Sequence, residues 1–196
     1  TKDAPRYVNK SVTANVPAAY IPMIETAEIV AERYGISRER QDEYGAQSQQ
    51  RAAAGLANGA FAEEIVAVTV EKALFDKEGN RTGTETVTLA QDEGIRPGTT
   101  AESMSRLRPA FAADGSITAG TSSQISDGAC ALLVMSKRRA QEQGLSWIAE
   151  IGSHGMVAGP DSSLQLQPAN AIRAALAKEG LAVEDVDLFE INEAFA

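Results

Sequence analysis

Reactive side chains are scarce in these 196 residues, which hold one cysteine, one histidine and one tryptophan, with aromatics at 5%. A lone thiol, Cys130, cannot close an internal disulfide, and that usage fits a reducing, cytoplasmic setting. No cluster of Cys, His and carboxylates shows ligand spacing, so no metal site is expected. No apolar stretch approaches the length of a bilayer span. The opening TKDAPRYVNK is polar with no apolar region behind it, so no secretory signal is read there. A net charge of −9 argues against a nucleic-acid footprint, which needs Lys and Arg clustered on one face. Any anionic ligand must then be held by local bases. The candidates are Arg96, the pair Arg106 and Arg108, and the run Lys137, Arg138 and Arg139, although a solvated surface charge is the commoner reading of each.

What is present is an ordinary globular composition, 43% hydrophobic and 23% charged, in a chain long enough for one large or two small cores. IPMIETAEIVAERYG places Met23, Ala27, Val30, Ala31 and Tyr34 at helical spacing and stops at Gly35. Ser37 then caps a longer, largely polar helix that ends at Gly59. The alternation Val66, Val68, Val70, the turn-rich DKEGNRTG and the run TETVTL predict a hairpin. Thr99 or Thr100 caps a short helix. ACALLVM reads as a strand buried on both faces, KRRAQEQG as a helix, WIAEIGS as a strand, PANAIRAALAKEG as a helix with Pro168 in its first turn, and VDLFEI as a last strand. From residue 129 onward the pattern is therefore α/β. The sequence stops at DLFEINEAFA, one turn into a helix that Asn192 is expected to open.

Chemistry has few carriers. Cys130 sits within ACALLVM, where a thiol acts as a small core hydrophobe rather than a reactive thiolate. His154, in GSHGMVAGPD, reads as a loop residue. TAGTSSQISDGA is more telling, because small residues before a buried strand let a ligand approach the backbone closely, with serine hydroxyls as partners; a tight serine-rich turn fits equally well. In EINEAFA, Asn192 stands at the carboxyl end of an expected strand, where ligands of open α/β sheets gather, and it would also serve as a plain N-cap.

Taken jointly, these segments resemble the thiolase family. GISRERQDEYGAQSQQRAAA, EEIVAVTV, DEGIRPGTTAESMSRLRPAF, GSITAGTSSQISDGACALLVMS, WIAEIGSHGMVAGPDSSLQLQPANAI and EINEAFA occur in family order. The form of GTSSQISDGA and of SLQLQP is most like that of bacterial acetyl-CoA C-acetyltransferases. Leu164 to Gln167 stand where many thiolases carry a Met-Gly-x-Gly-Pro loop, and Thr121, Ser122, Gln124 and Ser126 replace the commoner Asn-Ala-Ser-Gly-x-Asn pattern.

The resemblance implies a layered α/β fold of two similar halves with an inserted loop domain, only partly represented here. Residues 1–116 would be that loop domain, 117–138 the last strand of the N-terminal half, and 139–196 the first part of the C-terminal half. It also implies acyl transfer between coenzyme A thioesters by Claisen condensation or thiolytic cleavage. The family's nucleophilic cysteine precedes the loop domain, and its Gly-His-Pro histidine and second cysteine follow NEAFA. None of those motifs is present, so the acyl-cysteine is expected outside this segment. Carried over by motif, Asn192 would help stabilise the enolate oxygen. Arg96 and Ser103 would meet the nucleotide end of coenzyme A, Ala119, Gly120, Ser122 and Ser123 the pantetheine arm, and Ala194 and Phe195 the tunnel near the thioester. The family precedent implies a homodimer or homotetramer and no resident cofactor beyond the acyl-CoA substrate. The reading from another class is a noncatalytic coenzyme A-binding or assembly module of the same fold.

Overall fold

The computed structural model describes residues 8–196. The first seven residues, TKDAPRY, lie outside them, and with them the start of the polar opening and of the 1–116 span. The described chain forms two compact units: residues 8–37 with 109–195, and residues 38–108 with Ala196.

In the first unit, helix α1 (Lys10–Asn15) is capped by the Asn9 side chain, which accepts from Ser11 N at 2.9 Å. A 3-10 turn at Pro17–Tyr20 leads to α2 (Met23–Arg33), which buries Thr26, Ala27 and Ala31 on one face. The helical spacing thus predicts the right element. Met23 and Tyr34 nevertheless stay exposed, one at the first residue of α2 and the other beyond its end.

The second unit opens with α3 (Arg38–Ala57), as its polar pattern predicts. Strands β1 (Val68–Phe75) and β2 (Arg81–Leu89) form the expected antiparallel hairpin, in register from Val68 opposite Leu89. Helix α4 (Ala101–Ser105) is capped by Thr100, not Thr99. Asp42 is buried on α3 and pairs with Arg38 at 2.8 Å; Arg38 in turn donates to Met104 O and Leu107 O, at 2.7 and 3.0 Å. One guanidinium thereby pairs with a buried carboxylate and ties α3 to the carbonyls of Met104, in α4, and Leu107, just beyond it.

Back in the first unit, α5 (Lys137–Glu142) has Ser136 as its N-cap. A 3-10 turn at Leu164–Leu166 runs into α6 (Gln167–Glu179), with Pro168 near its start. Gly180, at φ 69°, ends α6 in the left-handed conformation that closes a helix, its N–H returning to Leu176 O.

Three expectations fail. ACALLVM, WIAEIGS and VDLFEI form no strands, since the hairpin β1–β2 is the only sheet among the described residues. A strand exists by pairing, and these runs find no partner ladder here, which leaves Leu133 86%, Ile151 84% and Leu188 83% exposed. Cys130 is exposed for the same reason, so its expected place in a core is not realised in this chain. Asn192 does not open a helix either; residues 191–193 are irregular, and Phe195 forms an isolated β-bridge.

Candidate functional site: a serine loop against the Asn192 segment

The serine-rich loop is held from below by a carboxylate. Glu28, on α2, accepts from Ser116 N at 2.9 Å, Ser116 Oγ at 3.0 Å and Ile117 N at 3.0 Å. Ala110 N donates to Ile117 O at 2.8 Å, and Pro109 bridges Thr118. Thr118 is 0% exposed, and its N–H donates to Thr121 Oγ1 at 2.9 Å, while Thr121 N returns to Thr118 O at 3.2 Å. Two buried threonines therefore tie the loop into a fixed turn, satisfying backbone groups that burial would otherwise orphan.

Hydroxyl commitments then separate the candidate residues. Ser122 donates its only hydroxyl proton to Thr118 O at 2.8 Å and can offer a ligand only acceptor capacity. The exposed Ser123 hydroxyl has no intramolecular partner among the described residues, and Ser123 N donates to Ala194 O at 2.9 Å. Ser122 and Phe195 form an antiparallel bridge. The loop is thus stitched to the 194–195 segment, with Ala119 and Gly120 exposed at its turn. Chain distance hides this juxtaposition.

Asn192 and Ala194 line a cleft of about 450 Å³. Its other walls come from Met23 of α2, from Gly155 to Val157, and from Leu164, Gln165 and α6. Most of those groups are apolar, with a few amides among them, the usual make-up of a small-molecule site. Two ties hold its elements together. Arg33 pairs with Asp161 at 2.9 Å, and Gln165 Nε2 donates to Thr26 Oγ1 at 3.0 Å. The Asp161 carboxyl lies well below its ordinary range, first because Arg33 donates to it and then because Ser163 does.

The Gln165 amide can be oriented by logic. Thr26 has one hydroxyl proton, and it goes to Met23 O at 2.6 Å, so toward Gln165 the hydroxyl can only accept. Nε2 therefore faces Thr26, and Gln165 Oε1 is left buried without a donor among the described residues. An orphaned acceptor of this kind costs about 1–3 kcal/mol. Sequence reading marks Leu164 to Gln167 as a departure from the Met-Gly-x-Gly-Pro loop but assigns Gln165 itself no role.

Gly155 is the other residue that reading missed. An added Cβ would strike Ala171 O and come within 2.8 Å of Ala171 C and 2.9 Å of Ala175 N, all in the α6 backbone. Glycine at 155 is what lets this wall of the cleft touch the helix. His154 next to it is exposed, and its carbonyl accepts from Lys178 Nζ at 2.7 Å, in keeping with a loop role.

Arg96 and Ser103 belong to the second unit. Arg96 N donates to Gln49 Oε1 at 2.8 Å, which fixes the backbone against α3 and leaves the guanidinium with no ionic partner among the described residues. Ser103 is half of a capping box: its Oγ donates to Thr100 O at 2.8 Å and accepts from Thr100 N at 3.0 Å. Its proton is therefore unavailable to a ligand. Other basic candidates are neutralised: Lys137 by Glu150 at 2.6 Å, Arg138 and Arg139 by Glu142, and Arg106 by Glu102. Arg96 and Arg108 are the two of these candidates without an ionic partner among the described residues. Among the described residues no group of three or more His, Cys, Asp or Glu could hold a metal ion, and no helix is long and apolar enough to cross a membrane.

The serine loop is bonded to the Asn192-bearing segment beside an apolar cleft, and comparison with known proteins gives the family. Residues 8–138 match the model of the thiolase N-terminal domain and residues 145–196 that of the thiolase C-terminal domain. A probable acetyl-CoA acetyltransferase of Mycolicibacterium smegmatis is 56% identical over 82% of this chain and 39% of its own length. The human peroxisomal 3-ketoacyl-CoA thiolase is 50% identical over 90% of this chain and 40% of its own. The crystal structure of the Bacillus anthracis acetyl-CoA acetyltransferase superposes with a TM-score of 0.74 at 36% identity, covering all of this chain and 49% of that one. That of the dimeric peroxisomal thiolase of Saccharomyces cerevisiae gives 0.77 at 36% identity, covering 95% and 45%. The chain belongs to the thiolase family and carries part of the thiolase α/β fold. It spans about two fifths of the length of the curated relatives it matches.

Proposed function

We propose that this chain supplies the substrate cradle of an acyl-CoA C-acyltransferase, which condenses acyl-CoA thioesters or cleaves acetoacetyl-CoA and other 3-ketoacyl-CoA esters by thiolysis. The acyl group is carried by a cysteine outside these 196 residues. One observation carries the reading: the serine loop is bonded through Ser123 N to Ala194 O, two residues from Asn192, at the edge of an apolar cleft. Under this assignment the free Ser123 hydroxyl meets a pantetheine amide, with Ala119, Gly120 and Ser122 flanking the arm. Ala194 and Phe195 wall the passage to the thioester. Arg96, without an ionic partner, meets the phosphate-bearing end, and Ser103 serves there chiefly by shaping α4.

Condensation places negative charge on a thioester oxygen as the enolate forms, and a preorganised donor lowers that barrier. Asn192 offers its Nδ2 protons for this, directly or through a held water. Losing one such donor typically costs about 3–4 kcal/mol, roughly 10²–10³ in rate. The 1–116, 117–138 and 139–196 divisions, a cytoplasmic setting, a homodimer or homotetramer and the absence of a resident cofactor belong to the same proposal.

Calorimetry with coenzyme A and turnover of acetoacetyl-CoA by the whole polypeptide test it. Ser123→Ala and Arg96→Ala should weaken coenzyme A binding, while Asn192→Asp should depress condensation far more than coenzyme A affinity, because a carboxylate opposes the enolate charge. Condensation by Asn192→Asp at the parental rate removes Asn192 from the mechanism. Coenzyme A binding without any thioester exchange returns the noncatalytic module.

A further inference from the structure

We infer that Gln165 is a specificity-determining residue, closing the inner end of the cleft beside Asn192 and restricting the acyl group to short chains. The inference rests on the proposed function, since it names the acyl class that this site accepts. The rim of the cleft is open, with Met23, Met156, Leu164 and Asn192 all exposed. Gln165 is a half-buried lining residue whose Oε1 is shut away from solvent. Its side chain reaches from the 3-10 turn to Thr26 on α2, residues 139 positions apart in sequence, and so links the elements that contribute Leu164 and Met23 to the lining.

That link is set rather than incidental. Thr26 is buried and its proton is committed to Met23 O, so the amide has one orientation in which it bonds, with Oε1 turned to a place that offers no donor. A leucine or methionine would fill such a place without orphaning an acceptor, so packing alone does not explain the residue. An alkyl chain long enough to reach this end would have to break the Gln165–Thr26 bond and leave the Gln165 amide with neither polar atom paired, the Thr26 hydroxyl keeping its bond to Met23 O. A two- or four-carbon acyl group stops short of it. Sites that force a ligand to strand buried polar groups discriminate more strongly than simple loss of apolar contact does.

The experiment compares kcat/KM for thiolysis of 3-ketobutyryl-, 3-ketohexanoyl- and 3-ketooctanoyl-CoA by the whole polypeptide, parent against Gln165→Ala and Gln165→Met. Gln165→Ala opens the inner end and should raise the octanoyl-to-butyryl ratio by about tenfold or more. Gln165→Met restores side-chain volume but removes the polar bond that a long chain must break, so it should raise the ratio too, by less than Gln165→Ala does. Gln165→Asn, an amide one carbon shorter, should shift the ratio in the same direction as Ala and stands in if the Ala variant does not fold. An unchanged ratio in Ala or Asn overturns the inference. So does an equal fall for all three substrates, which marks a residue that only holds α2 and the 3-10 turn together. A parent inactive on every chain length overturns the proposed function and takes this inference with it.

Discussion

Replacing Gly155 by alanine should be among the most damaging single-methyl changes in this chain. Its Cβ would meet not flexible side chains but the backbone of α6 at two positions one turn apart, 2.8 Å from Ala171 C and 2.9 Å from Ala175 N, besides colliding with Ala171 O. Comfortable carbon contacts begin near 3.5 Å, so the 153–157 segment and α6 must separate by roughly 1 Å. Overpacking typically costs about 1–3 kcal/mol, and a helix backbone that cannot rotate aside puts this case at the upper end. Taking about 3 kcal/mol, the urea midpoint should fall by roughly 1–3 M. Gly152→Ala is the control, since its Cβ would lie 3.4 Å from Glu179 Oε1, an ordinary contact with the end of a long side chain. That variant should stay within about 0.5 kcal/mol of the parent. Equal midpoints for Gly155→Ala and the parent, or equal losses for both variants, would refute the reasoning.

Two further outcomes concern the ties around the site. The Asp161 carboxyl is held below its unfolded value by Arg33 and Ser163, so its contribution to stability is complete above about pH 4 and is lost as pH falls toward its folded value. Between pH 5 and pH 3 the parent's denaturation midpoint should therefore drop more steeply than that of Asp161→Asn, and parallel slopes would remove the Arg33–Asp161 tie from the stability of the unit. Glu28→Ala withdraws the acceptor shared by Ser116 N and Ile117 N, which should cost about 1.5–3 kcal/mol and speed hydrogen exchange at those two amides; unchanged exchange would show that the serine loop is held by other means.

Local signals in the sequence were legible wherever one segment decides its own conformation. The α2 periodicity, Pro168 and Gly180 at the two ends of α6, and the valine alternation of the hairpin all state preferences that need no distant partner. ACALLVM, WIAEIGS and VDLFEI are different. A continuous apolar run records burial on both faces of a sheet, a property of the neighbours, and no described residue supplies a neighbouring ladder. The same limit applies to the site. Motif resemblance pointed to Ser123, Ala194 and Asn192, whereas their junction through Ser123 N, and the tie from Gln165 to Thr26 across 139 residues, exist only in three dimensions.

The distribution of hydroxyl protons sharpens what motif carry-over leaves flat. Three hydroxyl protons near the predicted contacts are already at work inside the protein: those of Thr121 and Ser122 on Thr118 O and that of Ser103 on Thr100 O. A group whose proton is engaged can still accept but cannot donate, so none of these three can give a hydrogen bond to a pantetheine carbonyl or a phosphate without first breaking a native one. Ser123 carries no such commitment, and its backbone N–H is the bond that holds the Ala194 segment in place. Its two functions are therefore separable by substitution: alanine removes the ligand-facing hydroxyl and leaves the junction, whereas proline removes the N–H and with it the contact to Ala194 O.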